Sequence, residues 1–345
     1  MAAPTLNLSS PGVINGNTGD YDKDNALFLK IFSGEVLTAF KRSCIFDALC
    51  QSRTIQSGRS AQFPVTGRFT AKYATPGEML VGQGDMAQNE VVIRIDDYLV
   101  ADASLYSLQE AKSAFDIRAI YSTELGQALA RTHDQRLART LAIGARTSTS
   151  DLTADLPSGL SPDDPYRTGT VVDINKATPT ADDLVASVFA AAEALDMKDV
   201  SKDNRVLVCT PESFYTLIQS SRAVNYDFNQ QGTNGAYSNG QIAKLAGFSI
   251  YSSNDIAQGN VTAQSGEQGY VSNGSVVKST VNMTNTKMLA FQKGAVGVVK
   301  LRDLSMGMTG NDYDVMYNAT LMTAKFALGV GCLRPECCVE VTNSQ

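Results

Sequence analysis

Between Ser107 and about Arg146 the chain has no proline, and apolar residues return every third or fourth position. That pattern admits one long helix and little else. Ser107 followed by Glu110 reads as a capping box, in which each side chain satisfies a backbone donor at the helix start. Ala111, Ala114, Phe115, Arg118, Tyr121, Leu125, Ala128, Leu129 and Thr132 lay a mostly apolar stripe along one face. Roughly 38 residues at 1.5 Å each make a rod of about 57 Å, whereas a compact chain of this length has a radius of gyration near 20 Å. A subunit built on such a rod is expected to be elongated or flattened, a shape that suits sheets and shells. Gly126 stands mid-helix, where glycine costs about 0.5 to 1 kcal/mol relative to alanine. Two readings offset that cost: close packing against a crossing element, or a bend.

At 345 residues the chain has room for one large domain or two, and 43% hydrophobic residues supply a core. Lys and Arg number 29 against 35 Asp and Glu, for a net charge of -6 and a pI near 5.0. An acidic chain of this kind is not a dedicated nucleic-acid reader, so contact with nucleic acid is expected to be weak. Residues 1–25 carry neither a basic n-region nor an apolar h-region, and nowhere do about 18 apolar residues run together. No export and no membrane span are expected. The six cysteines (Cys44, Cys50, Cys209, Cys332, Cys337 and Cys338) form no C-x-x-C pair and no zinc spacing with histidine. They read as free buried thiols, with Cys337 and Cys338 on opposite faces of a strand.

Taken in order, residues 1–24 are rich in Asn, Ser, Gly and Pro and read as an arm that orders only against something else. From Asn25, the residues Leu29, Phe32, Val36 and Phe40 fall on one helical face, a short amphipathic helix at the base of the arm. Gln62 to Tyr73 and Glu90 to Val100 have strand composition and flank a Pro76-Gly77 tip, which predicts a long two-stranded hairpin. Such a ribbon is marginal alone in water and needs a partner surface, expected on another subunit. Its outgoing side carries Arg53, Arg59, Arg68 and Lys72, and its tip and return carry Glu78, Asp85, Glu90, Asp96 and Asp97. Opposite charges on two edges suit docking to a neighbour, and an ordinary solvated hairpin accounts for them equally well. Residues 147–170 form a Ser/Thr/Asp/Pro loop at a domain junction. Beyond it, Thr180 caps a helix, Arg205–Cys209 is a buried strand, and Thr210-Pro211-Glu212 opens another helix. Gln241–Ala246 and Phe248–Tyr251 repeat the helix-to-strand step through Gly247, which makes this module mixed α/β. Residues 252–286 are expected to be exposed loops. Strand character returns from Met288 onward, with Gly329 and Gly331 breaking the run Tyr317–Leu328; these closing strands are expected to pack back on the long helix.

Catalytic readings find little support. The only histidine, His133, lies among Arg131, Asp134 and Arg136 and reads as a polar helix-face residue. Phosphate-loop, hydrolase-elbow and zincin motifs are absent from the sequence. The paired acids Asp96-Asp97, Asp163-Asp164 and Asp182-Asp183 are adjacent rather than facing, as caps and surface groups are. Arg131, Arg136, Arg139 and Arg146 could touch DNA but fit a salt-bridged helix face better. No catalytic, cofactor or metal residue is assigned.

Several segments resemble the major capsid protein of T7-like tailed phages (podoviruses): Ala26-Leu27-Phe28-Leu29-Lys30 with Gly34-Glu35-Val36-Leu37-Thr38-Ala39-Phe40, Ser57-Gly58-Arg59-Ser60-Ala61-Gln62-Phe63-Pro64, and Pro76-Gly77-Glu78. Ala295-Val296-Gly297, Val299 to Leu304, and Gly331 with Leu333-Arg334-Pro335-Glu336 are similar to the same family. The resemblance runs from about residue 25 to 336, weakest over 147–180 and 252–287. It implies an α+β fold of HK97 type: an N-arm (1–54), an E-loop hairpin (55–100), a peripheral domain with a spine helix (101–174 and 296–345) and a mixed α/β axial domain (175–295). It implies a structural protein rather than an enzyme, forming hexamers and pentamers of an icosahedral shell around packaged double-stranded DNA. Its implied partners are further copies of itself, a scaffolding protein during assembly, a portal protein at one vertex, and DNA without sequence preference, with assembly in the host bacterial cytoplasm. Shells of this kind are similar in assembling first and expanding later, which would use Gly126 as a weak point in the spine. Arg59, Arg68, Lys72 and Glu78 are the candidate inter-subunit contacts. A cellular nanocompartment of the same fold enclosing enzyme cargo is the second reading, and a soluble α/β enzyme the third.

Overall fold

Within the proline-free stretch, Ile117–Ala145 is one helix of 29 residues, unbroken through Gly126 and shorter than the roughly 38 residues expected; most of 107–116 lies outside the described residues. The computed structural model describes residues 44–66, 88–106, 117–148, 168–219, 244–308 and 316–343, with short breaks at 177, 268–270, 273–274 and 277–279, and isolated positions elsewhere. The Ser107–Glu110 capping box and the arm's amphipathic helix fall outside the described residues, and of residues 1–24 only Thr5–Leu6 and Ile14–Asn15, which pair antiparallel, are described. The chain divides into two compact units. One comprises Met1–Cys44, Tyr98–His133 and Arg302–Ala327, and the other Ile45–Asp97, Asp134–Leu301 and Leu328–Gln345.

In the first unit, Leu99–Tyr106 pairs antiparallel with the start of the strand Ala319–Cys332, from Tyr106 opposite Ala319 to Leu99 opposite Phe326. Strand alternation puts Val100, Asp102, Ser104 and Tyr106 on an exposed face. Met322 and Ala324, opposite Ala103 and Ala101, are buried on the other face. The sequence pattern had this return strand as a continuation of the hairpin, Glu90–Val100. Residues 95–98 instead leave the ladder, and the chain pairs anew from Leu99.

The second unit is organised on a six-stranded sheet in the order Thr170–Asp173, Cys338–Thr342, Thr286–Gln292, Arg205–Cys209, Phe248–Ser252, Lys244–Leu245. Two of its interior strands, Arg205–Cys209 and Cys338–Thr342, are buried along their whole length. The helix Ala181–Met197 covers the sheet with Leu184, Val185, Val188, Ala191 and Leu195, and Pro211–Ile218 follows with proline at its first position. Both starts agree with the sequence. Thr180 and Asp183 form a reciprocal capping box, and the Thr210 side chain accepts from Ser213 N.

Three expectations are corrected here. Lys244–Leu245 is a strand rather than the end of a helix, joined to Phe248–Ser252 by an Ala246-Gly247 turn. Both turn residues have positive φ, 49° and 84°, the geometry that lets two strands fold back through two residues. Within 252–286, Asn260–Thr262 pairs with Thr280–Asn282, and Ile256, Val281 and Met283 are buried, so this segment has structure and core of its own. Finally, Cys338–Thr342 joins the sheet between Thr286–Gln292 and Thr170–Asp173. It is a central strand, with Cys337 in the short 3-10 turn before it and both cysteines buried, so the two are not opposite faces of one strand.

Among the described residues, no helix is long and apolar enough to cross a membrane.

Candidate assembly interface

The predicted hairpin forms over Ser60–Thr66 and Gln88–Arg94, paired antiparallel from Ser60 opposite Arg94 to Thr66 opposite Gln88. Its base does not wait for another subunit. Ala61 and Ile93 are buried with Val299, and Ile55, Phe63, Ile95 and Leu333 pack against them. Three glycines make room. A Cβ on Gly297 would lie 2.9 Å from Ile93 Cδ1, and one on Gly331 2.9 Å from Ile93 Cγ1. A Cβ on Gly329 would collide with the Arg94 carbonyl oxygen. Gly329 and Gly331 therefore do not break the closing strand, which runs on to Cys332; they let the hairpin lie against it.

The candidate contact residues are distributed as follows. Arg59 is described and exposed, and its backbone carbonyl accepts from Ile95 N at 2.9 Å. Arg68, Lys72 and Glu78 lie outside the described residues. Arg53, counted with them on the outgoing side, is used within the chain: it donates to Gln62 O at 3.0 Å and stacks 5.7 Å over the Phe63 ring. Gln62 donates to Glu90 across the strands at 2.9 Å. Gly126 is half-buried within the helix. The helix glycine with a demonstrable close approach is Gly144, where a Cβ would stand 2.8 Å from Cys332 Sγ and 3.0 Å from Cys338 Sγ.

Sequence periodicity gave the helix a polar face, yet from Asp134 to Ala145 only Gln135 and Ile143 escape burial. The charged residues in that stretch survive burial by pairing. Arg136 binds Asp96, and Arg139 binds Glu267. Arg146 meets Glu340 in a two-point contact of 2.5 and 2.6 Å and also donates to Asn282 O at 2.8 Å. Asp134 accepts from Ile45 N at 2.7 Å. Burial holds Arg136 down at about 10, opposed by Glu267, so it keeps its charge at neutral pH. The salt-bridged reading thus fits Arg136, Arg139 and Arg146, while Arg131 is exposed. The acids that complete these pairs, Asp96, Glu267 and Glu340, come from distant segments, and no local spacing could have named them.

His133 is not a polar face residue. It is 6% exposed, its ring edge-on to Phe326 with centroids 5.9 Å apart. Burial pushes the Cys50 thiol up to about 12 and that of Cys337 to about 11, so these two stay protonated at neutral pH. Among the described residues no His/Cys/Asp/Glu group could hold a metal ion.

This combination of long helix, rooted hairpin and sheet-centred unit recurs in known proteins. The family model described as Gp10A-like, major capsid protein, matches residues 62–342. The chain is 33% identical to the major capsid protein of Escherichia phage T7 over 326 residues, covering 90% of each. It is 31% identical to that of Enterobacteria phage T3 over 331 residues, again 90% of each. The capsid structure of Cyanophage P-SCSP1u superimposes with a TM-score of 0.76 at 38% identity, covering 97% of both chains. The fold is that of the HK97-type capsids, as the resemblance implied, and the family is structural rather than enzymatic. Its members build virion shells from copies of themselves. The chain belongs to the Gp10A-like family of major capsid proteins of tailed phages.

Proposed function

We propose that this chain assembles into the hexamers and pentamers of an icosahedral shell around packaged double-stranded DNA, with a scaffolding protein during assembly, a portal protein at one vertex, and the host bacterial cytoplasm as the place of assembly. Within the subunit, 1–54 serves as the arm, 55–100 as the docking loop, 101–174 with 296–345 as the peripheral part and 175–295 as the axial part. The observation that carries the docking role is the hairpin. Its base is buried in its own chain through Ala61 and Ile93, while Arg59 is exposed beside it. Arg59, Arg68, Lys72 and Glu78 reach a neighbouring subunit, each pair contributing about 0 to 1 kcal/mol but repeated at every copy. Contact with DNA is non-specific and weak, because Arg136, Arg139 and Arg146 are committed to carboxylates and a net charge of -6 keeps the wall from gripping the phosphates. Gly126 is the weak point at which the long helix bends between shell states.

Electron microscopy of the purified assembly with a nuclease-protection assay tests this reading. Icosahedral shells that shield double-stranded DNA are expected. Shells that never protect nucleic acid, in cells infected with the whole phage, would refute the packaging role.

A further inference from the structure

The hairpin leaves its second strand at Arg94, and the residues just beyond are held from several directions. The backbone donor of Ile95 goes to Arg59 O at 2.9 Å, that of Asp96 to Leu328 O at 3.1 Å, and that of Asp97 to Gly266 O at 3.2 Å. Successive donors thus reach the residue just before the hairpin's first strand, the closing strand, and the turn at 266. Side chains add the long helix. Asp96 binds Arg136, Arg139 binds Glu267, and Arg136 Nε lies 3.9 Å from Glu267, which joins the pairs into one network. The four side chains are between 6% and 13% exposed.

Close backbone approach reinforces the charges. Gly329 lies flush on Arg94, and a Cβ on Gly266, whose φ is +96°, would stand 3.1 Å from Asp97 Oδ2. Two cations and two anions cancel in this network, but none can leave singly. Removing one partner strands a desolvated charge, which costs more than the pair contributes, so the network holds or opens as a whole. Its helix side is packed into the core, with Leu137, Ala138 and Leu141 beside the arginines at most 1% exposed.

We infer that Arg136, Asp96, Glu267 and Arg139 form a latch that makes the hairpin and the buried half of the long helix one lever. The hairpin's direction is set by its own helix before any neighbour is met. Reorientation in a shell turns the two together instead of bending the chain at 95–97. The consequence for docking rests on the hairpin reading above; the latch itself does not.

Hydrogen–deuterium exchange on the unassembled full-length subunit tests it without reference to shells. Asp96→Asn and Glu267→Gln should each speed exchange in 88–97 and 260–267 by about tenfold or more, leaving 205–209 and 286–292 unchanged. The exchanged pair Arg139→Glu with Glu267→Arg should recover protection. Unchanged protection in both single variants overturns the latch, as does loss spread evenly over the six-stranded sheet. Should Asp96→Asn fail to fold, Glu267→Gln alone carries the test, and its failure to fold would also overturn a local latch. Loosened exchange with wild-type shell yield would keep the latch and remove its role in docking.

Discussion

Glu340 is wholly buried in a central strand, and its carboxylate is fully engaged. Arg146 takes both oxygens, and Thr286 Oγ1 donates to one of them at 2.5 Å. Such a pair adds little over an apolar pair of the same shape, but losing one member is severe. Glu340→Leu is therefore expected to lower stability by about 3 to 5 kcal/mol in a denaturant titration, and adding Arg146→Met should restore part of it. A second variant without restored stability would show that the sheet needs the charges themselves. The two helix glycines separate in the same way. Gly144→Ala pushes a methyl to 2.8 Å from Cys332 Sγ and should cost about 1 to 3 kcal/mol by overpacking. Gly126→Ala should instead stabilise the subunit by about 0.5 to 1 kcal/mol and slow shell expansion, read by time-resolved light scattering. Destabilisation by Gly126→Ala would point to close packing there and end the bend reading.

The elements that local chemistry defines were legible in advance. Thr180, Asp183 and Pro211 mark helix starts because a cap needs only residues three or four apart. The cap also sets a pH dependence. Lys176, then the side chain and backbone N–H of Thr180, hold the Asp183 carboxyl at about 2, below its ordinary value of 3.8. A depressed carboxylate contributes stability in full above its unfolded value, and that contribution disappears as pH falls through the folded one. Lys176→Met should therefore raise the Asp183 pKa in an NMR titration and narrow the acid-side loss of helix 181–197 between about pH 4 and 2. An unmoved titration would remove Lys176 as the cause. Elements fixed by distant partners were not legible. Gly329 and Gly331 look like strand breakers until Ile93 and the Arg94 carbonyl are seen against them. Asp134, Arg136 and Arg139 look like a wet helix face because Ile45, Asp96 and Glu267 are remote in sequence. The hairpin's existence was readable from its alternation, whereas its root in Val299 and Leu333 was not. Of the candidate contact residues, the charge pattern gave Arg59 its exposed setting but could not reveal that Arg53 is spent on Gln62 and Phe63.

At the scale of the whole molecule, folding and assembly should separate. Arg59 is exposed, and with Arg59→Glu and Arg68→Glu combined the subunit should stay soluble with a melting temperature within about 2 °C of wild type, while sedimentation shows few shells. Wild-type yield would refute the docking role, and a collapsed melting temperature would show that the variant had tested folding instead. The position of Cys338–Thr342 within the sheet bears on when a subunit becomes competent at all. Among the described residues, Thr170–Asp173 pairs with no strand other than this one, which the ribosome makes after every other strand of the sheet. Until it emerges, the half-made sheet lacks one of its buried central strands and leaves Thr286–Gln292 open on that side. Chains released early therefore cannot complete the unit that carries the hairpin. A chain truncated before Cys338 is therefore expected to be soluble, if at all, only with this sheet open and protease-sensitive, whereas wild-type protease resistance in such a truncation would show that the last strand is dispensable.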